Sequence, residues 1–289
     1  MYERVIVPLD GSQNSERVLP YVEELAQRTH CDLTFVGVSS DQERSFEYIF
    51  KKYVQDLAVQ FKNKGLRAQS AFLYGSPSEE IIRYADTNGA SLIAAATHGR
   101  SGFQEWILGG VSEKILLHSS KPVLLISARQ PGTGATKSTS LQNVLVPLDG
   151  SEAGEAALPW AEELAKSTNG RLVLLRVVLS TSKVVGVMNY ATGFERQLVS
   201  TLRGQAREYL TSVVAELEKK GLDTKYDLIE GIPSEAILDY AKQNSIDLIV
   251  MTKHGMSAPS RAVLGSVVHQ VVHASDIPIL VVPVRVESS

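Results

Sequence analysis

Val5-Ile6-Val7-Pro8-Leu9-Asp10-Gly11-Ser12 returns as Val144-Leu145-Val146-Pro147-Leu148-Asp149-Gly150-Ser151, 139 residues further along the chain. The same offset carries Leu19-Pro20 onto Leu158-Pro159 and Glu23-Glu24-Leu25-Ala26 onto Glu162-Glu163-Leu164-Ala165. Beyond the middle of each copy the offset becomes 156. Gly75-Ser76-Pro77-Ser78-Glu79 then matches Gly231-Ile232-Pro233-Ser234-Glu235, His98-Gly99 matches His254-Gly255, and Leu108-Gly109 matches Leu264-Gly265. Collinear identity at so long a period is the mark of a duplicated domain, not of a solenoid of short units. The second copy is 17 residues longer, the excess falling between Val177 and Lys220. Residues 1–128 and 143–289 read as the two domains, joined by a small, polar, Pro/Gly-bearing linker at 129–142.

Within the first copy, β-rich runs near Arg4–Leu9, Asp32–Val38, Arg67–Tyr74, Ser91–Ala96 and Val123–Ser127 alternate with helical patterns. The helices are predicted near Ser15–Thr29, Ser45–Lys64, Ser78–Asn88 and Val111–Ser119. Continuously apolar runs such as Val5-Ile6-Val7 indicate strands covered on both faces. Gly65 stands where a C′ glycine ends a helix, and Pro77 and Pro233 fall in tolerated first-turn positions. Strand–helix alternation implies right-handed βαβ units and a doubly wound α/β sheet in each copy.

Composition narrows the function classes. The 289 residues are 44% hydrophobic and 21% charged, with a formal net charge of −3. That balance speaks against a basic nucleic-acid-binding surface. A single cysteine, Cys31, excludes an intrachain disulfide and a Cys-rich metal site and suits a reducing compartment, hence a cytoplasmic protein. The N-terminal apolar run reads as a strand, not a signal peptide, and no run approaches the ~18 residues of a membrane span, so no membrane partner is expected.

Ligands of doubly wound sheets bind beyond the carboxyl ends of the strands, at the switch in winding direction. Two segments per copy lie there. The first is Pro8-Leu9-Asp10 and Pro147-Leu148-Asp149, whose carboxylates can accept from ribose hydroxyls or an adenine amine, or can serve a turn or helix cap. The second is Thr97-His98-Gly99-Arg100 leading to Gly109-Gly110-Val111, and Thr252-Lys253-His254-Gly255 leading to Gly265-Ser266-Val267. Glycines before a helix N-terminus form a phosphate cradle in principle, and ordinary loop glycines otherwise.

The Asp-Gly-Ser turn, the His-Gly pair and the nine residues between the last two loop glycines, each present twice, resemble the universal stress proteins in a tandem two-domain form. The resemblance implies five-stranded parallel sheets of order 3-2-1-4-5 and, in one branch of the family, ATP binding, with or without Mg²⁺. Carried over residue by residue, the second copy supplies Pro147, Asp149, Val177 (through its backbone), Thr252, His254, Gly255, Arg261, Gly265, Ser266 and Val267. The first supplies Pro8, Asp10, Val38, His98, Gly99, Arg100, Gly109, Gly110 and Val111. The departures rank the second site first. The motif's opening glycine is Ala96 or Thr252, its final hydroxyl is lost at Gly110, and Glu105 stands opposite Arg261, where a carboxylate repels a triphosphate. The resemblance also implies antiparallel pairing of the last strands, within Pro122–Ala128 and Pro278–Val286, making the chain a pseudo-dimer. Homodimerisation and a protein partner remain open.

Other signatures are missing. No Gly-x-Gly-x-x-Gly follows a first strand, and the dipeptide Gly-Lys of a P-loop does not occur. His269 and His273 lie four apart without a third ligand, and His98 and His254 lack a nucleophile motif, so neither a metal centre nor a catalytic residue is expected. The reading is an adenine-nucleotide-binding regulatory protein of the stress response, with at most slow ATP hydrolysis. The alternative is a nucleotide-free interaction scaffold of the same fold. The insert near Leu179–Phe194 reads equally as a lid or as a surface excursion.

Overall fold

The computed structural model describes residues 1–39, 47–97, 110–127, 139–178, 193–255 and 263–284, with backbone alone for 193–199. The first half contributes β1 (Arg4–Leu9), α1 (Gln13–Glu16), α2 (Leu19–Thr29), β2 (Asp32–Ser39), α3 (Glu47–Asn63), β3 (Ala68–Tyr74), α4 (Pro77–Thr87), β4 (Leu92–Ala96), α5 (Gly110–His118) and β5 (Val123–Ile126). The second half follows with β6 (Asn143–Pro147), α6 (Glu152–Glu155), α7 (Leu158–Thr168), β7 (Arg171–Val178), α8 (Gly193–Lys219), β8 (Asp223–Glu230), α9 (Pro233–Gln243), β9 (Leu248–Thr252), α10 (Ser266–Ala274) and β10 (Ile279–Val282).

All ten strands form one sheet, ordered β3-β2-β1-β4-β5-β10-β9-β6-β7-β8. Each half is parallel in the expected 3-2-1-4-5 order. The halves meet at a single antiparallel seam, where Ile279 faces Leu125, Leu280 faces Leu124 and Val281 faces Val123. The strands expected to pair therefore do so, and two domains close over a common core. On one face of the sheet Val5, Phe35, Leu124 and Leu280 share a buried cluster with side chains of α2, α3, α7 and α8. On the other face Ile93, Leu125, Ile249 and Val281 do so with α4, α5, α9 and α10.

Local chemistry explains the boundaries. The helix expected over Ser15–Thr29 is broken into α1 and α2, because Pro20 has no N–H to continue the ladder and instead starts a new helix at its first turn. Pro159 does the same between α6 and α7. Both α2 and α7 end on a left-handed residue, His30 at φ 55° and Asn169 at φ 50°, whose N–H returns to Ala26 and Ala165 respectively. The duplication keeps one ion pair outright. Lys64 reaches Glu23 at 2.6 Å, and Lys220 reaches Glu162 at 2.8 Å. A second pair is kept with its signs exchanged: Arg67 with Asp32 in the first half, Asp223 with Arg171 in the second. Part of the second copy's excess lengthens a helix, α8 having 27 residues against 17 in α3. Residues 179–192, the rest of the suspected lid, lie outside the described residues.

Cys31 is buried, and desolvation raises its thiol to about 11. The thiolate is the reactive form, so labelling by an aromatic disulfide at pH 8 is expected to run about 100-fold slower than for a free cysteine. Labelling at the free rate would contradict the packing of β2 against α2.

Candidate functional site

The crevice of the second half is assembled by three elements. β6 delivers Pro147, Leu148 and Asp149 to its carboxyl end, and β9 delivers Thr252, Lys253, His254 and Gly255. The third element, α10, starts at Ser266. Asp149 closes a tight turn in which its Oδ1 accepts from the Ser151 backbone N–H at 3.0 Å and from the Ser151 hydroxyl. The turn needs Gly150 at φ +77°. Ser151, not Asp149, is the helix cap, since its Oγ accepts from the Gly154 N–H at 3.0 Å. This leaves Asp149 Oδ2 facing Gly255. A Cβ at Gly255 would come closer to Oδ2 than real Cβ atoms approach any neighbour. A side chain at position 255 would therefore need the Asp149 carboxylate or the loop to move.

α10 has Gly265 as its N-cap with no side-chain cap, so its first-turn amides point out of the helix without an intrahelical partner. The Gly265 amide is an exception, being spent on the Lys253 carbonyl at 2.9 Å. Thr252 is buried and its hydroxyl donates to the His254 carbonyl at 2.7 Å, bracing the loop. Among the described residues, His254 Nδ1 is buried without a hydrogen-bond partner. Burial, with a smaller contribution from the charge on Lys253, holds this imidazole below its usual pKa, so it is neutral at pH 7. Val177 lies half-buried at the end of β7, beside the crevice.

Lys253 is only 4% exposed. Its ammonium leaves the second half altogether and donates to the Ser119 carbonyl at 2.7 Å, also reaching the Leu117 carbonyl at 3.4 Å. Desolvation lowers its pKa to about 8. The folded chain thus releases this proton near pH 8, while the unfolded chain keeps it to about 10.4. Between these values the unfolded state binds more protons, so stability from this group rises with pH. The expected rise from pH 8 to 10 is about 2 kcal/mol in urea unfolding, and Lys253→Met should remove it. An equal rise in the variant would assign it elsewhere.

The first half repeats the turn. Asp10 Oδ1 accepts from Ser12 N–H at 3.0 Å and Ser12 Oγ at 2.7 Å, and Ser12 caps α1. Val38 is half-buried at the end of β2, Pro8 lies in β1, and Gly110 and Val111 open α5 as exposed residues. His98, Gly99, Arg100, Gly109 and Arg261 lie outside the described residues, as does Glu105.

One residue beside the crevice escaped the sequence reading. Arg176 stands one position before Val177, where the first half has Gly37. A Cβ on Gly37 would lie 3.1 Å from Phe72 and 3.3 Å from Phe50, so aromatic rings fill that place in the first half. In the second half Leu228 and Ala206 replace those rings at the matching positions. The Arg176 guanidinium instead extends under the turn and donates to the Leu148 carbonyl at 3.4 Å. Burial lowers its pKa and the Asp149 charge opposes that shift. Alignment of the halves exposes the Gly-to-Arg exchange, but not the reach of the guanidinium to Leu148.

His269 and His273 do share a face of α10, with ring centroids 4.3 Å apart. Among the described residues no group of three or more His, Cys, Asp or Glu side chains is placed to hold a metal ion. No helix of the described residues is long and apolar enough to cross a membrane.

Comparison with known proteins agrees with this geometry. The profile of the Universal stress protein family matches residues 1–127 and again 140–283. The chain is 30% identical over 143 residues to the universal stress protein YxiE of Bacillus subtilis (strain 168), spanning 48% of this chain and 97% of that protein. It is 29% identical over 156 residues to the universal stress protein MJ0577 of Methanocaldococcus jannaschii, spanning 50% of this chain and 96% of that protein. Over its whole length it shares a fold with a universal stress protein of Archaeoglobus fulgidus DSM 4304. That match has a TM-score of 0.73 at 22% identity and covers 98% of this chain and 99% of that one. A universal stress protein has also been solved in complex with cAMP, and it aligns with 44% of this chain at 22% identity and a TM-score of 0.37. With two matched copies covering nearly all of its length, the chain belongs to the universal stress protein family as a tandem two-domain member.

Proposed function

We propose that the chain binds an adenine nucleotide, ATP with or without Mg²⁺, and does so preferentially in its second half. The carrying observation is the convergence there of the Asp149 carboxylate, the Thr252–Gly255 loop and the uncapped start of α10. A triphosphate suits the α10 amides of Ser266 and Val267, where the helix dipole favours negative charge. The buried Nδ1 of His254, without a partner among the described residues, lies in the same loop and fits a polar ligand. Asp149 and the backbone of Val177 serve the nucleoside end, Pro147 and Thr252 shape the walls, and Arg261 supplies positive charge. Gly265 contributes close approach only, because its amide is already used. The first site, built from Pro8, Asp10, Val38, His98, Gly99, Arg100, Gly109, Gly110 and Val111, is the weaker one.

The protein's role under this reading is regulatory: nucleotide occupancy biases the conformation or association of the pseudo-dimer in the cytoplasm. A nucleotide-free scaffold is the second reading, favoured by the engagement of Asp149 Oδ1 and the Gly265 amide within the protein. Nucleotide released from the purified chain by denaturation and identified by mass spectrometry, with calorimetric titration of ATP into the full chain, decides between them. Bound adenine nucleotide or a titratable site supports the first. An empty chain that gives no heat with millimolar ATP supports the second.

A further inference from the structure

Lys253 occupies a position that no symmetric pair of domains would need. In the first half the matching residue is Thr97, whose side chain carries no cation and ends at the γ position. Lys253 crosses to the other half and lays a charge on the carbonyls at the carboxyl end of α5, where a helix carries partial negative charge. Its backbone is fixed to the crevice from both sides. The N–H donates to Val282 of β10 at 2.9 Å, and the carbonyl accepts from Gly265, the N-cap of α10, at 2.9 Å. The loop that would receive phosphate and the residue that grips the opposite half are thus one stretch of backbone. The far end of α5 leads to the other crevice: Ser112, in its first turn, donates to the Ala96 carbonyl at the end of β4 at 2.7 Å.

We propose that Lys253 couples the two halves, so that occupancy of the second-half crevice tightens the carboxyl end of α5 in the first half. Resting on the nucleotide reading above, this assigns the duplication a direction. The second half senses, and the first half responds through α5 and the strand β4 to which α5 is tied. An anion held at Thr252–Gly255 and the first-turn amides of α10 keeps the Lys253 backbone against Gly265 and Val282. The side chain, only 4% exposed and bonded to the Leu117 and Ser119 carbonyls, then holds them more firmly.

Hydrogen–deuterium exchange of the full chain, read at the amides of Leu116–Ser119 with and without saturating ATP, tests this. Calorimetry on the same sample reports binding. ATP is expected to slow these amides several-fold in the wild-type chain. In ligand-free Lys253→Met they should exchange about tenfold faster than in wild type, the loss of one charge-assisted bond, and ATP should no longer slow them. Methionine keeps the length and fills the buried site, and far-UV circular dichroism with an unaltered exchange pattern in β6–β8 confirms that the variant is folded. Lys253→Arg, which can still donate, should restore part of the protection. If ATP binds but Leu116–Ser119 exchange is unchanged, the coupling is overturned while the nucleotide site stands. If calorimetry shows no binding, the nucleotide reading fails and the transmitted effect with it. If ligand-free Lys253→Met exchanges at the wild-type rate, Lys253 does not grip α5 and the proposal is overturned whatever ATP does.

Discussion

Leu280→Asp is expected to lower stability by about 4–6 kcal/mol and to break a single unfolding transition into two. Leu280 is 1% exposed and sits opposite Leu124, itself 3% exposed, at the seam where the sheet reverses direction. A carboxylate there would sit between Leu124 of β5 and Val250 of β9, both apolar and buried in the same cluster. It must either stay buried uncompensated or drive β10 off β5. Without the seam, β5 and β10 become open edges, and each half keeps only its own strands. The comparison variant Leu280→Ala, which removes volume without adding charge, should cost about 2–4 kcal/mol and leave one transition. Urea unfolding followed by circular dichroism and tyrosine fluorescence measures both. Two transitions in the wild-type chain, with Leu280→Asp moving only one, would show that the common core does not make the halves cooperative.

Much of this architecture is legible in the sequence because it depends on local and repeated signals. The doubly apolar β1 and β6, the Asp-Gly-Ser turn and the first-turn prolines each report a backbone need within a few residues. Seeing each twice removes ambiguity. What the sequence did not convey depends on partners far along the chain. Pro20 falls inside one helix expected from the sequence, though its missing N–H divides that helix. Arg176 stands where Gly37 is closed in by Phe50 and Phe72, and the matching positions 206 and 228 carry Ala and Leu, three segments that differ together. The reach of Lys253 to Ser119 spans 134 positions and both halves, and its only trace in the alignment is a lysine opposite a threonine. The site follows the same division. Asp149 and Gly255 read as separate ligand contacts in the sequence, yet the carboxylate fills the space that a side chain at 255 would need.

That shared space sets the last expectation. Gly255→Val should weaken ATP binding to the full chain by about 100-fold or more, whereas Gly99→Val should leave the tight site nearly intact. A side chain on Gly255 cannot coexist with Asp149 Oδ2 where both now stand, so either the loop lifts away from β6 or the aspartate turns out of its serine-bound rotamer. The proposed nucleotide uses both groups, so either response removes a contact. Lifting the loop also drags Gly265, the α10 N-cap, through its bond to Lys253. The effect therefore reaches the phosphate end as well as the nucleoside end. Asp149→Ala discriminates between steric and chemical causes. It clears space for a side chain at position 255 but removes the carboxylate, so Asp149→Ala combined with Gly255→Val should bind no worse than Asp149→Ala alone. Calorimetric titration of the three variants and of Gly99→Val, each shown to be folded by its melting curve, supplies the measurement. Loss of binding in Gly99→Val with retention in Gly255→Val would reverse the ranking of the two crevices. It would place the nucleotide in the half that has lost the hydroxyl at Gly110 and carries Glu105.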